Sequence, residues 1–372
     1  MTTAFINRIA TAVPAHDVHQ AFLDYVELHF AGNLRSAFLF RRMAERSGIE
    51  HRYSCLSLAD IPEEVGGSSE FYRRGQLPST ASRMRMYEQH AAPLAVAAVE
   101  RLGLGADRSK ITHLVVTSCT GFSAPGLDLE LVACCGLSPS VERTIVGFMG
   151  CYAAMNALKL ARHIVRSEKN ARVLTVNLEL CSLHCQETDN IEQMLSFLLF
   201  SDGCAAALVT AEPVGIALDS FHATVIPETP DYITWNIRDL GFDMGLSGKV
   251  PASIQDALRS GMDTVLKGMP PSAIDLWAIH PGGRTVLDAV QRAFKLKSEA
   301  LEASREVLRR YGNMSSPTVM FVLDELMRTA PNGARGCGMS FGPGMVAETM
   351  LFRNVTSPVT IAAPVREPAE AF

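Results

Sequence analysis

Cys151, His280 and Asn313 are the residues whose types and settings point most directly to chemistry. Cys151 follows Gly147-Phe-Met-Gly150 and opens a segment that reads as a helix. A helix N-terminus carries partial positive charge and free N–H groups, which favour thiolate over thiol. The glycine before the sulfur lets the backbone turn tightly and exposes it. The N–H groups that follow are placed to hold an oxyanion. The other reading is a buried structural cysteine, and these residues alone leave it open. His280 ends the apolar run Leu276–Ile279 and precedes Pro281-Gly282-Gly283. A strand end followed by a glycine turn is where α/β folds place reactive groups, although a hydrogen-bonded loop histidine fits as well. Asn313 lies in Tyr311-Gly-Asn-Met-Ser-Ser316, ahead of an apolar helix. It is either an ordinary N-cap or an amide donor beside a developing negative charge. Cys181-Ser-Leu-His-Cys185 has no second ligand pair at zinc spacing, so no metal is expected. Gly338–Gly344 fits neither a phosphate loop nor a dinucleotide fingerprint. It reads as a tight turn that lets a ligand backbone or thioester come close.

These residues need elements to hold them. Residues 20–50 read as amphipathic helix with a basic cluster at Arg41, Arg42, Arg46 and Arg52, and residues 85–103 as a second helix. Ile111–Thr117 is a β-branched run that feeds the turn Thr120–Gly126. A short strand over 144–150 leads into a helix from Cys151 to about Glu168, whose stripe is Tyr152, Met155, Leu158 and Val165. Strands are predicted over 171–178 and around 200–210. The second half echoes the first. Ser109-Lys-Ile-Thr-His-Leu-Val-Val resembles Ser272-Ala-Ile-Asp-Leu-Trp-Ala-Ile, and nearly the same offset separates Cys151 from Asn313. A third echo, Ser201-Asp-Gly-Cys-Ala against Phe341-Gly-Pro-Gly-Met, has a shorter offset, so the first half carries extra residues between about 179 and 200. The pattern predicts a duplicated α/β unit whose strand ends and helix starts converge on one joint site.

The 372 residues are enough for about two domains. At 48% hydrophobic and 20% charged they must bury a large core, and 7% aromatics suits an α/β enzyme better than a sandwich. A net charge of -5 makes nucleic acid a poor partner. The longest apolar stretch, Met194–Val209, is broken by Ser201, Asp202 and Gly203, so no membrane span is expected. The start of the chain lacks a basic segment ahead of an apolar one, which predicts a cytoplasmic protein. Nine cysteines, an odd number mostly in apolar stretches such as Cys134-Cys135 and Cys204, read as reduced core thiols.

With Gly147-Phe-Met-Gly-Cys-Tyr-Ala-Ala154, Trp277-Ala-Ile-His-Pro-Gly-Gly283, Tyr311-Gly-Asn-Met-Ser-Ser316 and Ser340-Phe-Gly-Pro-Gly344 in this order, the chain resembles the type III polyketide synthases, the chalcone synthase-like enzymes. The resemblance implies the thiolase fold, a duplicated five-layered α/β/α/β/α architecture, and a homodimer. The halves are expected at 1–213, with the cysteine, and 214–372, with the histidine and asparagine. It implies that Cys151 takes an acyl group from acyl-CoA, that His280 pairs with it as an ion pair, and that His280 and Asn313 stabilise the enolate left when malonyl-CoA loses carbon dioxide. No cofactor or metal is implied. Phe200 matches the gatekeeper between CoA tunnel and cavity. Arg42 and Arg46 match CoA-contacting residues, while Leu39 stands where a third, a lysine, is usual.

The cavity set implied is Cys119, Thr120, Ala124, Cys181, His184, Trp235, Met244 and Ser315. Cys119, Cys181 and His184 replace threonines of the plant enzymes; Trp235 replaces a glycine, Met244 a phenylalanine and Ala124 a methionine. The pattern is similar to bacterial members that make alkylpyrones or alkylresorcinols. Small residues at 119, 120 and 124 are expected to open a tunnel for a fatty acyl tail. Two alternatives remain: a single condensation, as in ketoacyl synthase III, and a catalytically silent acyl-CoA-binding partner protein.

Overall fold

A computed structural model describes residues 2–356. The end of the expected second half, residues 357–372, lies outside the described residues. Strand β1 (Phe5–Ala12) is followed by a short pair, β2 (His16–Asp17) and β3 (Tyr53–Ser54), which brackets helices α1 (His19–His29) and α2 (Leu34–Ser47). Then come α3 (Thr80–Arg101), β4 (His113–Ser118), α4 (Leu127–Cys134), β5 (Glu142–Gly147), α5 (Ala153–Ser167), β6 (Val173–Leu180), α6 (Ile191–Leu199) and β7 (Asp202–Thr210). The second half runs β8 (Gly215–Val225), β9 (Ile233–Arg238), β10 (Gly241–Leu246), α7 (Val250–Val265), β11 (Leu276–Ile279), α8 (Arg284–Phe294), α9 (Glu302–Tyr311), α10 (Thr318–Thr329), β12 (Arg335–Gly342) and β13 (Val346–Thr356).

Nine strands are hydrogen-bonded in the order β11-β12-β13-β8-β1-β7-β6-β4-β5. The order is a duplication. Parallel β4 and β6, antiparallel β7 and then antiparallel β1 in one half match parallel β11 and β12, antiparallel β13 and then antiparallel β8 in the other. Within the sheet the halves join where Phe5 and Ile6 of β1 pair with Ala217 and Ile216 of β8.

Strand alternation builds the layers. In β4, Leu114 and Val116 face a core with α3 and α4, while Val115 faces a core with α5 and α10. In β11, Ala278 faces that same α5–α10 core, while Trp277 and Ile279 face one with α7 and α8. Helices α5 and α10 therefore fill the middle of an α/β/α/β/α stack. Central strands covered on both faces are mostly apolar, and every residue of β6 and β7 is buried, including the polar Thr175, Asn177, Glu179 and Asp202. Strand β5, at the edge, leaves Ile145 46% exposed.

The expected helix over 20–50 is two helices. Ala31-Gly32-Asn33 breaks it, and the Asn33 side chain accepts from Ser36 N–H to cap α2. Arg52, expected in the basic cluster, is buried away from it. The helix expected from Cys151 starts as a tight 3-10 turn at Gly150–Tyr152 and becomes α-helical at Ala153. All nine cysteines are unpaired; Cys134, expected in the core, is exposed while Cys135 is buried.

Candidate active site

The parallel strands β4, β6, β11 and β12 end at Cys119, Cys181, His280 and the Gly342-Pro343 turn. The segments ahead of the two central helices bring Cys151 and Asn313. Gly150 has φ +67, and a Cβ there would meet Pro343 Cδ at 2.4 Å. A Cβ on Gly342 would meet Tyr152 Cδ1 at 2.7 Å. The glycine-rich turn thus permits close approach of the chain's own nucleophile segment, where a ligand was expected. Gly150 N–H donates to Cys119 Sγ at 3.1 Å, which ties Cys119 to the residue before Cys151.

Cys151 is 8% exposed, Asn313 2% and His280 1%. Burial pushes the Cys151 thiol up to about 11, against hydrogen bonds from Ser315 and Asn313 that favour the thiolate. Ser315 sits at φ +57, and its N–H donates to Asn313 Oδ1 at 2.8 Å. Thr318 Oγ1 holds the same turn, accepting from Met314 N–H at 2.9 Å and donating to Ser315 O at 2.8 Å. Burial drives His280 down to about 3, which favours the neutral ring. Its backbone N–H donates to Met339 O at 2.8 Å, while both ring nitrogens are buried without a protein partner. Burial thus works against the ion pair expected of Cys151 and His280, because it favours the uncharged form of each.

Phe200 bridges to Asn313, with Asn313 N–H donating to Leu199 O at 2.8 Å and Ser201 N–H to Asn313 O at 3.0 Å. Gly283 reaches the same strand end, since a Cβ there would lie 3.7 Å from Leu199 Cδ1. Beside Phe200 lies a largely apolar cavity of about 110 Å³, walled by Phe22 and Tyr25 of α1, Ile61 and Val65, and by Cys181, Cys185 and Phe200. Buried Arg52 lines it and donates from Nη1 to Phe197 O and Phe200 O, both at 2.8 Å.

Of the expected cavity set only Cys181 lines this space. His184 is a brace: its Nδ1 accepts from Phe242 N–H at 3.0 Å, so Nε2–H donates to Thr120 O at 2.7 Å. Burial lowers it to about 3, which keeps that neutral tautomer. Trp235 Nε1–H donates to Cys119 O at 2.8 Å, and Met244 is its register partner across the β9–β10 hairpin. Ala124 is exposed, as are Arg42 and Arg46 on α2. Arg46 O accepts from Arg284 Nη1 at 3.4 Å, so α2 ends beside the loop that carries His280.

Two groups went unread in the sequence. Arg52, expected in the basic cluster with Arg41, Arg42 and Arg46, is the first, since it is buried in the cavity wall instead. Glu179 is wholly buried at the end of β6, accepting from Cys119 N–H at 2.8 Å and from the Thr120 and Ser316 hydroxyls at 2.9 Å. Burial raises it to about 7 against those bonds. The signal was one acid, the only charged residue of the wholly buried strand Val173–Leu180.

Against known proteins, residues 2–213 match the N-terminal domain of the chalcone and stilbene synthases and residues 217–356 the C-terminal domain. The chain is 34% identical to the alpha-pyrone synthesis polyketide synthase-like Pks18 of Mycobacterium tuberculosis over 369 residues, covering 94% of this chain and 91% of that one. Among solved structures it is similar to the C-terminal type III polyketide synthase domain of the Dictyostelium hybrid Steely1, with TM-score 0.86 and 25% identity over 95% of this chain and all of that domain. It is also similar to PKS-I of the brown alga Ectocarpus siliculosus, with TM-score 0.85 and 30% identity over 95% and 99% of the two chains.

Proposed function

The chain belongs to the chalcone and stilbene synthase family and is a type III polyketide synthase, an acyltransferase of thiolase-like fold; from that premise we propose that it extends a fatty acyl-CoA starter, held on Cys151, with malonyl-CoA. Cys151 Sγ passes its proton to His280 and attacks the starter thioester carbonyl; the C–S bond to CoA breaks, and His280 returns the proton to the departing sulfur, so that CoA leaves as the thiol. Malonyl-CoA then loses carbon dioxide, and the electron pair of the broken C–C bond becomes an enolate at the thioester oxygen. His280 and the Asn313 amide donate to that oxygen. The enolate carbon attacks the Cys151 thioester, Cys151 leaves as thiolate, and the lengthened chain returns to it for the next round.

The observation that carries this reading is His280: a buried imidazole whose two ring nitrogens have no protein partner among the described residues, on the loop whose Gly283 meets Leu199, the acceptor of the Asn313 N–H. A buried polar group left unpaired is costly, and such groups collect where a ligand completes them. The cavity beside Phe200 supports a fatty starter, because each methylene buried there contributes about 0.8 kcal/mol. Alkylpyrone or alkylresorcinol products follow from that starter, and the name of the mycobacterial relative speaks for the pyrone. Arg42 and Arg46 would take CoA phosphates. Residues 1–213 and 214–372 would be the two halves of a homodimer's subunit. Ala124, exposed on its own chain, would act only in a partner's cavity.

The test is acyl mapping on intact protein with a fatty acyl-CoA, beside malonyl-CoA decarboxylation. Cys151→Ala should lose the adduct and all product while still releasing carbon dioxide. Asn313→Ala should slow decarboxylation by roughly 10² to 10³ and starter loading less. An adduct on another cysteine overturns the nucleophile assignment, and equal losses in both steps overturn the role of Asn313. A starter series that favours acetyl-CoA over long chains removes the fatty substrate.

A further inference from the structure

Helix α2 exposes apolar surface to an unusual degree. Leu34 is 82% exposed, Phe38 67%, Met43 42% and Leu39 41%, and Leu28 at the end of α1 adds 45%. Only Phe40 and Ser47 of the helix are buried. Scattered exposed apolar residues are ordinary, but several large ones on one helix mark a contact surface. At 100° per residue, Arg42, Arg35 and Arg46 run in a row down the outer face, with Leu34 and Phe38 on one side and Leu39 and Met43 on the other. Among the described residues these three arginines have no ion-pair partner, whereas Arg41 is held by Glu27 at 3.0 Å. Glu45 is the one acid of the helix, which carries no lysine. The chain as a whole is at -5, so this positive charge is local.

An acidic protein and an anionic bilayer would both answer the charge. The observations favour the bilayer. The apolar tips stand out from a convex helix, and α2 contributes no wall residue to the cavity beside Phe200 or to the cleft around Arg259 and Arg292. A protein partner would have to supply the concavity, whereas lipid needs none. Apolar tips enter the acyl boundary while guanidinium forks take lipid phosphates through two oxygens each. We propose that α2 is a membrane-surface helix that docks this chain on an anionic lipid bilayer. Docking would set the end of α2, where Arg284 Nη1 donates to Arg46 O, at the lipid surface, where long-chain thioesters and alkyl products partition. The docking shares Arg42 and Arg46 with the proposed CoA contact but is read by vesicle binding alone, so its failure is distinguishable from failure of the proposed reaction.

The test is sedimentation of the full-length protein with vesicles of phosphatidylcholine, with and without phosphatidylglycerol. The double variant Leu34→Ser/Phe38→Ser serves as control; Arg42 and Arg46 stay intact because the proposed thioester site uses them. Wild type should bind the phosphatidylglycerol vesicles roughly tenfold or more better than the neutral ones, and lose that preference in raised salt. The double variant should bind roughly tenfold or more weakly, while its malonyl-CoA decarboxylation without vesicles equals wild type. Equal binding to both vesicle types, or binding that the double variant retains, overturns the proposal. No binding by wild type also overturns it and assigns the face to a protein partner.

Discussion

The resting protonation of Cys151 and His280 sets how the first step must begin. Burial pushes the thiol up to about 11 and the imidazole down to about 3, and both shifts favour the uncharged forms at neutral pH. A neutral imidazole offers one bare nitrogen as base and one N–H as donor, and in that form it gains a proton only as Sγ gives it up. Deprotonation and attack are then coupled to substrate, which strengthens the case for a binding step that excludes water first. The consequence is a pH profile. Alkylation of free Cys151 by iodoacetamide, followed by mass mapping, should rise about tenfold per pH unit from pH 6 to 9 with no plateau, because thiolate forms in proportion to hydroxide below the thiol's own titration. A rate already flat at pH 6 would mean a standing thiolate–imidazolium pair and would contradict the burial argument.

Among the elements, the β9–β10 hairpin braces the site from outside the sheet. Its Trp235 indole N–H holds the Cys119 carbonyl, its Phe242 N–H holds His184, and the Phe242 and His184 rings stack at 4.2 Å. Cys119 in turn accepts from Gly150, next to the nucleophile. Trp235→Phe keeps a ring but removes the donor, so it should lower stability by about 1 kcal/mol in urea unfolding. Starter loading should slow in it without a change in product length. A product of altered length from that variant would make Trp235 a wall of the polyketide space instead. No strand was expected over this hairpin, although its signal is plain: Ile233-Thr-Trp-Asn-Ile-Arg238 alternates apolar and polar residues strictly, and Phe242, Met244 and Leu246 alternate with Gly241, Asp243 and Gly245. Strand β4 and helix α5 were legible, because a β-branched run and a 3.6-residue apolar stripe are strong local signals. The pairing of the halves showed as echoes, yet the meeting of Cys151 with Asn313 depends on strand order, which no single segment encodes. The cavity was illegible for the same reason: α1, the loop around Ile61–Val65 and the end of β6 meet only in three dimensions. Arg52 misled because it follows three true surface arginines, and only the end of α2 at Ser47 turns it inward.

For the molecule as a whole, the stacked layers bury titratable groups of both kinds, and their effects on stability oppose one another. Burial lowers His280 and His184 to about 3 and His19 to about 4, all below the ordinary 6.5. Below pH 6.5 the unfolded chain binds protons at these histidines that the folded chain refuses, so folding weakens as pH falls. Glu179, raised to about 7, and Asp324, raised to about 6, act the other way. Between their ordinary range and those values the folded chain holds the extra proton, so folding weakens as pH rises. Burial also lowers His90 and His163 and raises Asp202, so the lowered histidines outnumber the raised acids, and midpoints in urea should fall from pH 6.5 toward 4. Glu179→Gln isolates the opposing part. Its amide oxygen can still accept from Cys119 N–H and Thr120, and its amide N–H can donate to the Ser316 hydroxyl once that rotates. Whatever this exchange does to the mean, it is the same at every pH. The ionisation is not: at pH 8 wild type must keep a buried carboxylate charged, and at pH 5 it need not. The stability of Glu179→Gln relative to wild type should therefore be greater at pH 8 than at pH 5, by about 3 kcal/mol at most for a carboxyl raised from 4.5 to about 7. Urea unfolding of both proteins at the two pH values reads that difference directly. The same gap at both would mean that Glu179 titrates as an exposed acid, and that the three bonds it accepts offset the whole effect of its burial.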